Sequence, residues 1–143
     1  MLAKPSTVFL VLLFAVTIAF SGCAQPETQI FLNGSQNLKV VITPVSGHSA
    51  KGTLQILVNS LPNHVAVLQV MLSPAGLDKG LDASKQPNVL IKTVNATIGA
   101  AVALDTTKVK NGVYDLTVGA RTEPAPMEYE WEDEVQTQLS VEN

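Results

Sequence analysis

The sequence predicts an all-β fold, an antiparallel β-sandwich of about seven strands. Short runs rich in Val, Ile, Leu and Thr recur along the chain, separated by Gly, Pro and Asn residues. Several of these runs alternate apolar and polar residues, as strands with one buried face do, and no stretch keeps a helical period. A chain of 143 residues has room for one domain of this kind.

The predicted strands, in chain order, cover residues 38–45, 53–59, 65–72, 89–94, 97–104, 113–120 and 131–141. In the second of them Leu54, Ile56 and Val58 fall on one face, since strand side chains alternate. Pro62 marks a corner after this strand, because proline fixes φ and cannot continue a ladder. A longer polar connection, residues 77–87, follows the third strand.

The sixth strand is the best defined. Asn111-Gly112 is a turn signal, since both residues tolerate positive φ. After it Tyr114, Leu116 and Val118 alternate with polar or small residues and are expected to be buried. Tyr114 is predicted to be a structural corner residue, with its ring in the core edge and its hydroxyl bonded to upstream backbone.

A family resemblance rests on this region. The Asp105-Thr-Thr-Lys segment, the Asn111-Gly-x-Tyr-x-Leu-x-Val pattern and a last strand ending Leu139-Ser-Val-Glu-Asn143 resemble the second half of a bacterial immunoglobulin-like domain. The resemblance covers roughly the last third of the chain and implies an immunoglobulin-like sandwich. The chain lacks the cysteine pair and third-strand tryptophan of antibody domains, and bacterial domains of this type do without both.

The N-terminus predicts export. Lys4 precedes an apolar run over residues 8–20 that suits a signal peptide and is short for a membrane span. Ser21-Gly-Cys23 resembles the lipobox of bacterial lipoproteins, which implies lipidation of Cys23 and cleavage before it. An uncleaved N-terminal anchor is the alternative. We therefore expect a signal peptide over 1–22, a tether over 23–34 and the sandwich over 35–143, lipid-anchored in the cell envelope and facing the periplasm or exterior.

Composition limits the partners. Cys23 is the only cysteine, so no internal disulfide can form. Of the nine basic residues only Lys4 lies in the predicted signal, which leaves eight against twelve acids. This acidic balance argues against nucleic acid, which favours a basic face. Contact with the membrane is expected through the N-terminal lipid.

Little in the sequence predicts catalysis. His48 and His64 lie in predicted loops without a carboxylate or cysteine at ligand spacing, and Ser46 and Ser49 beside His48 are too close in sequence for a triad. The loop 78–84 carries two carboxylates with a lysine between them, a poor start for a calcium site. No catalytic residue, cofactor or metal site is predicted.

An acidic segment over residues 123–134 holds six of the twelve acids and the only tryptophan. Tyr129 and Trp131 fall on one side of the alternating pattern, and Glu128, Glu130 and Glu132 on the other. The aromatic side is either the core face of a long last strand or an exposed recognition strip. In the second case Tyr129 and Trp131 would anchor a basic partner and the three glutamates would steer it.

The third strand has a second apolar face. Val65, Val67 and Met71 oppose the side expected in the core, yet the outer face of a sandwich strand is normally polar. We expect the connection 77–87, or a protein contact, to cover these residues.

Together these features predict a non-catalytic, lipid-anchored binding or assembly module that recognises an envelope protein or a glycan. A structural spacer without a ligand, or a calcium-dependent carbohydrate or adhesion module, is the alternative. Exposed Tyr129 and Trp131 would favour binding, and buried ones the spacer.

Overall fold

The computed structural model describes residues 28–78, 81–122 and 131–143. These ranges contain nine strands: β1 Thr28–Asn33, β2 Lys39–Val45, β3 Ser49–Ala50, β4 Thr53–Ser60, β5 Val67–Pro74, β6 Leu90–Asn95, β7 Ala101–Asp105, β8 Gly112–Arg121 and β9 Asp133–Val141. Two single-turn 3-10 helices, Ala83–Lys85 and Thr106–Lys108, lie in connections. Asp82 and Asp105 cap them, each accepting from the main chain two residues on.

The strands form two sheets, and the predicted all-β sandwich is confirmed. One sheet has the order β1-β2-β4-β7 and the other β3-β9-β8-β5-β6. All neighbours are antiparallel except β3 and β9, which run parallel. Within these sheets β2-β4-β7 and β9-β8-β5 have the A-B-E and G-F-C orders of an immunoglobulin sandwich.

The first strand, β1, changes the predicted domain boundary. Its residues lie within the segment 23–34 that we expected to be a tether, but they pair with β2 from Thr28↔Val45 to Asn33↔Lys39. Ile30 and Leu32 pack against the core, which explains why this short segment joins the sheet. The folded domain therefore includes residues from Thr28 onward, rather than starting at residue 35.

The core lies between the two sheets, where the inward side of each strand is apolar. In β4 Leu54, Ile56 and Val58 are fully buried, as their alternation predicts. The largest fully buried side chains are Leu38, Ile42, Leu54, Ile56, Leu68, Leu72, Leu104, Leu116, Leu139, Val40, Val58 and Val70. This set draws on both sheets, so burial of its apolar surface holds the two layers together.

Candidate functional site

Trp131 lies on the outer face of the five-stranded sheet, next to Gly119 of β8. A Cβ added to Gly119 would be 2.5 Å from Trp131 Cε3 and 2.6 Å from Cδ2, so only glycine leaves room for the indole. The guanidinium carbon of Arg121 is 5.6 Å from the centroid of the Trp131 ring, within cation–π range. The indole is half-buried.

This placement corrects both interpretations of the acidic segment. Asp133, Val135 and Leu139 are buried, so unbroken alternation would have put Trp131 on the core side too. The alternation breaks before β9, where Glu132 N donates to Ala120 O at 2.8 Å and Trp131 turns to the opposite side. Trp131 is therefore neither a core residue nor a freely exposed one.

A groove runs along the same sheet face, and we call it the Trp131 groove. Its floor comes from outward side chains of β5, β8 and β9, and Leu77, Leu81 and Ala83 of the connection after β5 form one wall. Its volume is about 310 Å³, and its lining includes Gln69, Met71, Thr117, Gln136, Trp131, Leu77 and Leu81. The register explains the floor, because Met71 pairs with Thr117 and Thr117 with Gln136 across three strands.

The connection after β5 borders the face that we predicted to be covered. Met71 lines the groove together with Leu77 and Leu81 of this connection. Val67 is 4% exposed, whereas Val65 precedes the strand and packs against the core instead of sharing this face. Met71 therefore borders the same groove as Leu77 and Leu81 of the connection, and the prediction was wrong for Val65.

Charges around the groove are mainly negative. Asp115 and Glu134 line it with Asp82, and Arg121 is the one arginine among the lining residues. The Ser84 hydroxyl donates to Asp82 Oδ1 at 2.6 Å and Lys85 Nζ lies 2.9 Å from Oδ2, and these two contacts lower the pKa of Asp82. Arg121 Nε is buried and has no hydrogen-bond partner within the part of the chain that the structure describes.

Asp133 ties the start of β9 to the turn between β1 and β2. Its Oδ2 accepts from the main-chain N–H of Gln36 at 2.8 Å and of Leu38 at 2.9 Å. Its Oδ1 accepts from the N–H groups of Ser35 and Glu134, both at 3.0 Å. The side chain is 4% exposed, so it is a buried polar group with its acceptors satisfied. From the sequence, Asp133 was only one of the six acids of the segment 123–134.

Trp131 and Glu132, the two described residues of the predicted recognition strip, do not lie on one surface. Glu132 is exposed and borders a separate open cavity of about 660 Å³ at the end of the sandwich, next to Ser35, Asn37 and Pro62. Trp131 faces the Trp131 groove instead. Glu128, Tyr129 and Glu130 lie outside the described residues, as does Cys23.

Tyr114 occupies the start of β8 with the geometry of a tyrosine corner. Its side chain is 3% exposed, and its hydroxyl donates to the carbonyl oxygen of Lys110 at 2.7 Å. Burial raises the pKa of the phenol above its ordinary value. The buried ring and the hydrogen bond to Lys110 are both structural features, and the hydrogen bond fixes the turn that leads into β8.

The histidine and serine candidates bond to separate partners. His48 Nδ1 lies 3.2 Å from Gln138 O, while Ser49 Oγ donates to Glu142 at 3.1 Å. In the described ranges no three His, Cys, Asp or Glu side chains are grouped to hold a metal ion. Across those same residues no helix is long and apolar enough to cross a membrane.

Comparison with known proteins gives no match. No family model, no curated protein and no solved structure matches this chain. Function is therefore inferred from the residues of the site.

Those residues suit binding. The Trp131 groove offers an aromatic ring, an apolar wall and several side chains that both donate and accept hydrogen bonds. Its volume of about 310 Å³ lies at the lower end of the range of small-ligand sites.

Proposed function

We propose that this chain is a non-catalytic binding domain of the cell envelope, lipid-anchored through Cys23, whose ligand site is the Trp131 groove. The observation that carries the proposal is the groove itself, with Trp131 turned out of the core beside Gly119. The ligand is another envelope protein or a glycan. The separate hydrogen-bond partners of His48 and Ser49 support a non-catalytic role.

Chain geometry makes the anchor and the groove compatible. Thr28, the first residue of β1, is five residues after Cys23, so an extended chain reaches at most about 17 Å. The start of β1 would then lie close to the membrane. Its far end leads into the turn that Asp133 holds, and six residues of strand span roughly 20 Å. Trp131, near Asp133, would sit at the end turned away from the lipid.

The anchor is tested by changing Cys23→Ser in cells. The parent should partition into detergent and incorporate labelled fatty acid, and the variant should do neither after signal cleavage. A processed Cys23→Ser protein that stays in the membrane would show that the lipid attachment proposed here is wrong.

The site is tested by comparing two lysine variants as baits for envelope components. Thr117→Lys puts a long cation into the Trp131 groove, whereas Gln55→Lys makes a similar change at a half-buried position of the other sheet, paired with Ala103. Material captured by the parent and Gln55→Lys but lost with Thr117→Lys would support the groove. Equal capture by all three would place binding elsewhere, and no capture by any would favour a spacer.

A further inference from the structure

We infer that the Trp131 groove takes a short neutral saccharide. The inference rests on the proposed function and names its ligand class. It is drawn from the hydrogen-bonding groups of the floor, the pairing of its two central strands on both sides and the sign of the charge around it.

The floor is built from side chains that donate and accept at once. Gln69, Thr117 and Gln136 lie on three neighbouring strands, and all line the groove. A carboxamide offers two donors and an acceptor, and a hydroxyl offers one donor and two lone pairs. Sugar hydroxyls have the same dual character, so adjacent hydroxyls can each donate to one such group and accept from another.

The walls supply the apolar complement. Trp131 and Leu81 border the groove beside Met71 of the floor, and Leu81 is 46% exposed although it is a large apolar residue. A pyranose ring presents C–H groups on its faces and hydroxyls at its rim. Apolar walls above a polar floor match that division, whereas a wholly apolar ligand would leave the floor groups unpaired.

A peptide strand fits this face less well. An extended peptide usually binds a sheet by adding to an open edge and pairing with its backbone. Here β5 is paired on both sides by β6 and β8, and β8 by β5 and β9. At β5 and β8 the floor therefore offers side chains rather than backbone N–H and C=O groups, so recognition there goes through amides and hydroxyls. At the β9 side, β3 pairs only with Ser140 and Val141.

Charge selects among saccharides. Asp115 and Glu134 line the groove, while the cation of Arg121 lies over the indole of Trp131. Carboxylates accept hydrogen bonds from sugar hydroxyls and repel phosphate, sulfate or carboxylate groups on a ligand. Neutral saccharides are expected to bind, and anionic ones at least about tenfold more weakly.

The experiment uses the full chain in a zwitterionic detergent. The readout is tryptophan emission, because Trp131 is the only tryptophan and lines the groove. An array of neutral, anionic and amino-substituted glycans selects probes for titration by tryptophan emission, with a tryptophan-free oligolysine peptide as competitor. A neutral saccharide should shift the emission saturably. Gln136→Ala should weaken that binding about tenfold, and Gln55→Ala on the opposite sheet should not change it.

Two outcomes overturn the inference. If oligolysine shifts the emission and is blocked by Thr117→Lys while no neutral glycan binds, the site is a cationic-peptide site and the proposed function survives. If no probe shifts the emission and Thr117→Lys leaves capture of envelope material intact, both the saccharide and the groove are wrong.

Discussion

Asp133→Asn removes one charge and replaces one acceptor oxygen by an amino group, at the point where β9 meets the turn between β1 and β2. In the parent, Oδ2 accepts from Gln36 N and Leu38 N, and Oδ1 from Ser35 N and Glu134 N. Whichever way the new carboxamide orients, its NH₂ faces two N–H donors. Two hydrogen bonds are lost, and the two main-chain N–H groups that made them now face the NH₂ group, which is also a donor.

The magnitude follows from these contacts. A hydrogen bond to a charged group contributes about 1.5–3 kcal/mol to stability, and Leu38 N–H is in a buried bond. Losing two such bonds should lower the free energy of unfolding by about 3–6 kcal/mol. This is a large part of the roughly 5–15 kcal/mol available to a domain.

Urea unfolding at neutral pH measures the effect, with Glu134→Gln as the matched control. Glu134 is the next residue and undergoes the same change of charge, but its side chain is exposed on the outer face. With a slope of about 1–3 kcal/mol per molar urea, the Asp133→Asn midpoint should fall by at least about 1 M. The control should move by less than about 0.5 kcal/mol. Equal losses in the two variants would refute the buried-carboxylate account.

Substitutions at three further positions test other parts of the structure. Tyr114→Phe should lower the free energy of unfolding by about 1 kcal/mol and Tyr114→Ala by about 3 kcal/mol or more, as measured in urea; a Tyr114→Ala protein as stable as the parent would exclude the corner. Because the folded pKa of Tyr114 is raised above 10.0, its contribution is full below that pH and lost as pH rises through the folded pKa. The parent should therefore lose more stability there than Tyr114→Phe. Gly119→Ala should displace Trp131 and redden its emission, since the new Cβ would meet the ring at 2.5 Å; unchanged emission and acrylamide quenching would contradict the packing. Met71→Lys should lower stability by about 1–2 kcal/mol, because the half-buried side chain lies between Ile91 and Thr117, and an unchanged urea midpoint would mean that this face is open solvent.

The strands were predictable where one face is apolar and the other is not. In β4 and β8 the alternation of Leu, Ile and Val with polar residues gave the buried face correctly, including Tyr114. Side-chain direction in a strand depends only on the backbone pleat, so a sequence pattern is enough. In β1 the apolar pattern is too short to distinguish a strand from a tether. The strand forms by pairing with β2, and the sequence of β1 alone does not reveal that pairing.

Trp131 was not predictable by the same means. Assigning alternate residues to the same face assumes an unbroken strand. The alternation is interrupted at Glu132, between Trp131 on the outer face and the buried Asp133 at the start of β9. Two signals were available in the sequence. Gly119 is a glycine inside a strong strand, which often marks a close approach, and Asp133 is a charged residue at a position that the alternation assigns to the core.

The pairing of Gly119 with Trp131 does not by itself distinguish a binding site from a structural device. A glycine inside a strand is destabilising by roughly 0.5–1 kcal/mol, and an indole packed over it covers the exposed backbone, so the two residues compensate each other. The neighbouring positions carry the distinction. Gln69, Thr117 and Gln136 line the groove, and a spacer has no use for their particular carboxamide and hydroxyl groups. Their effect on ligand capture, at unchanged stability, is what separates a binding domain from a spacer.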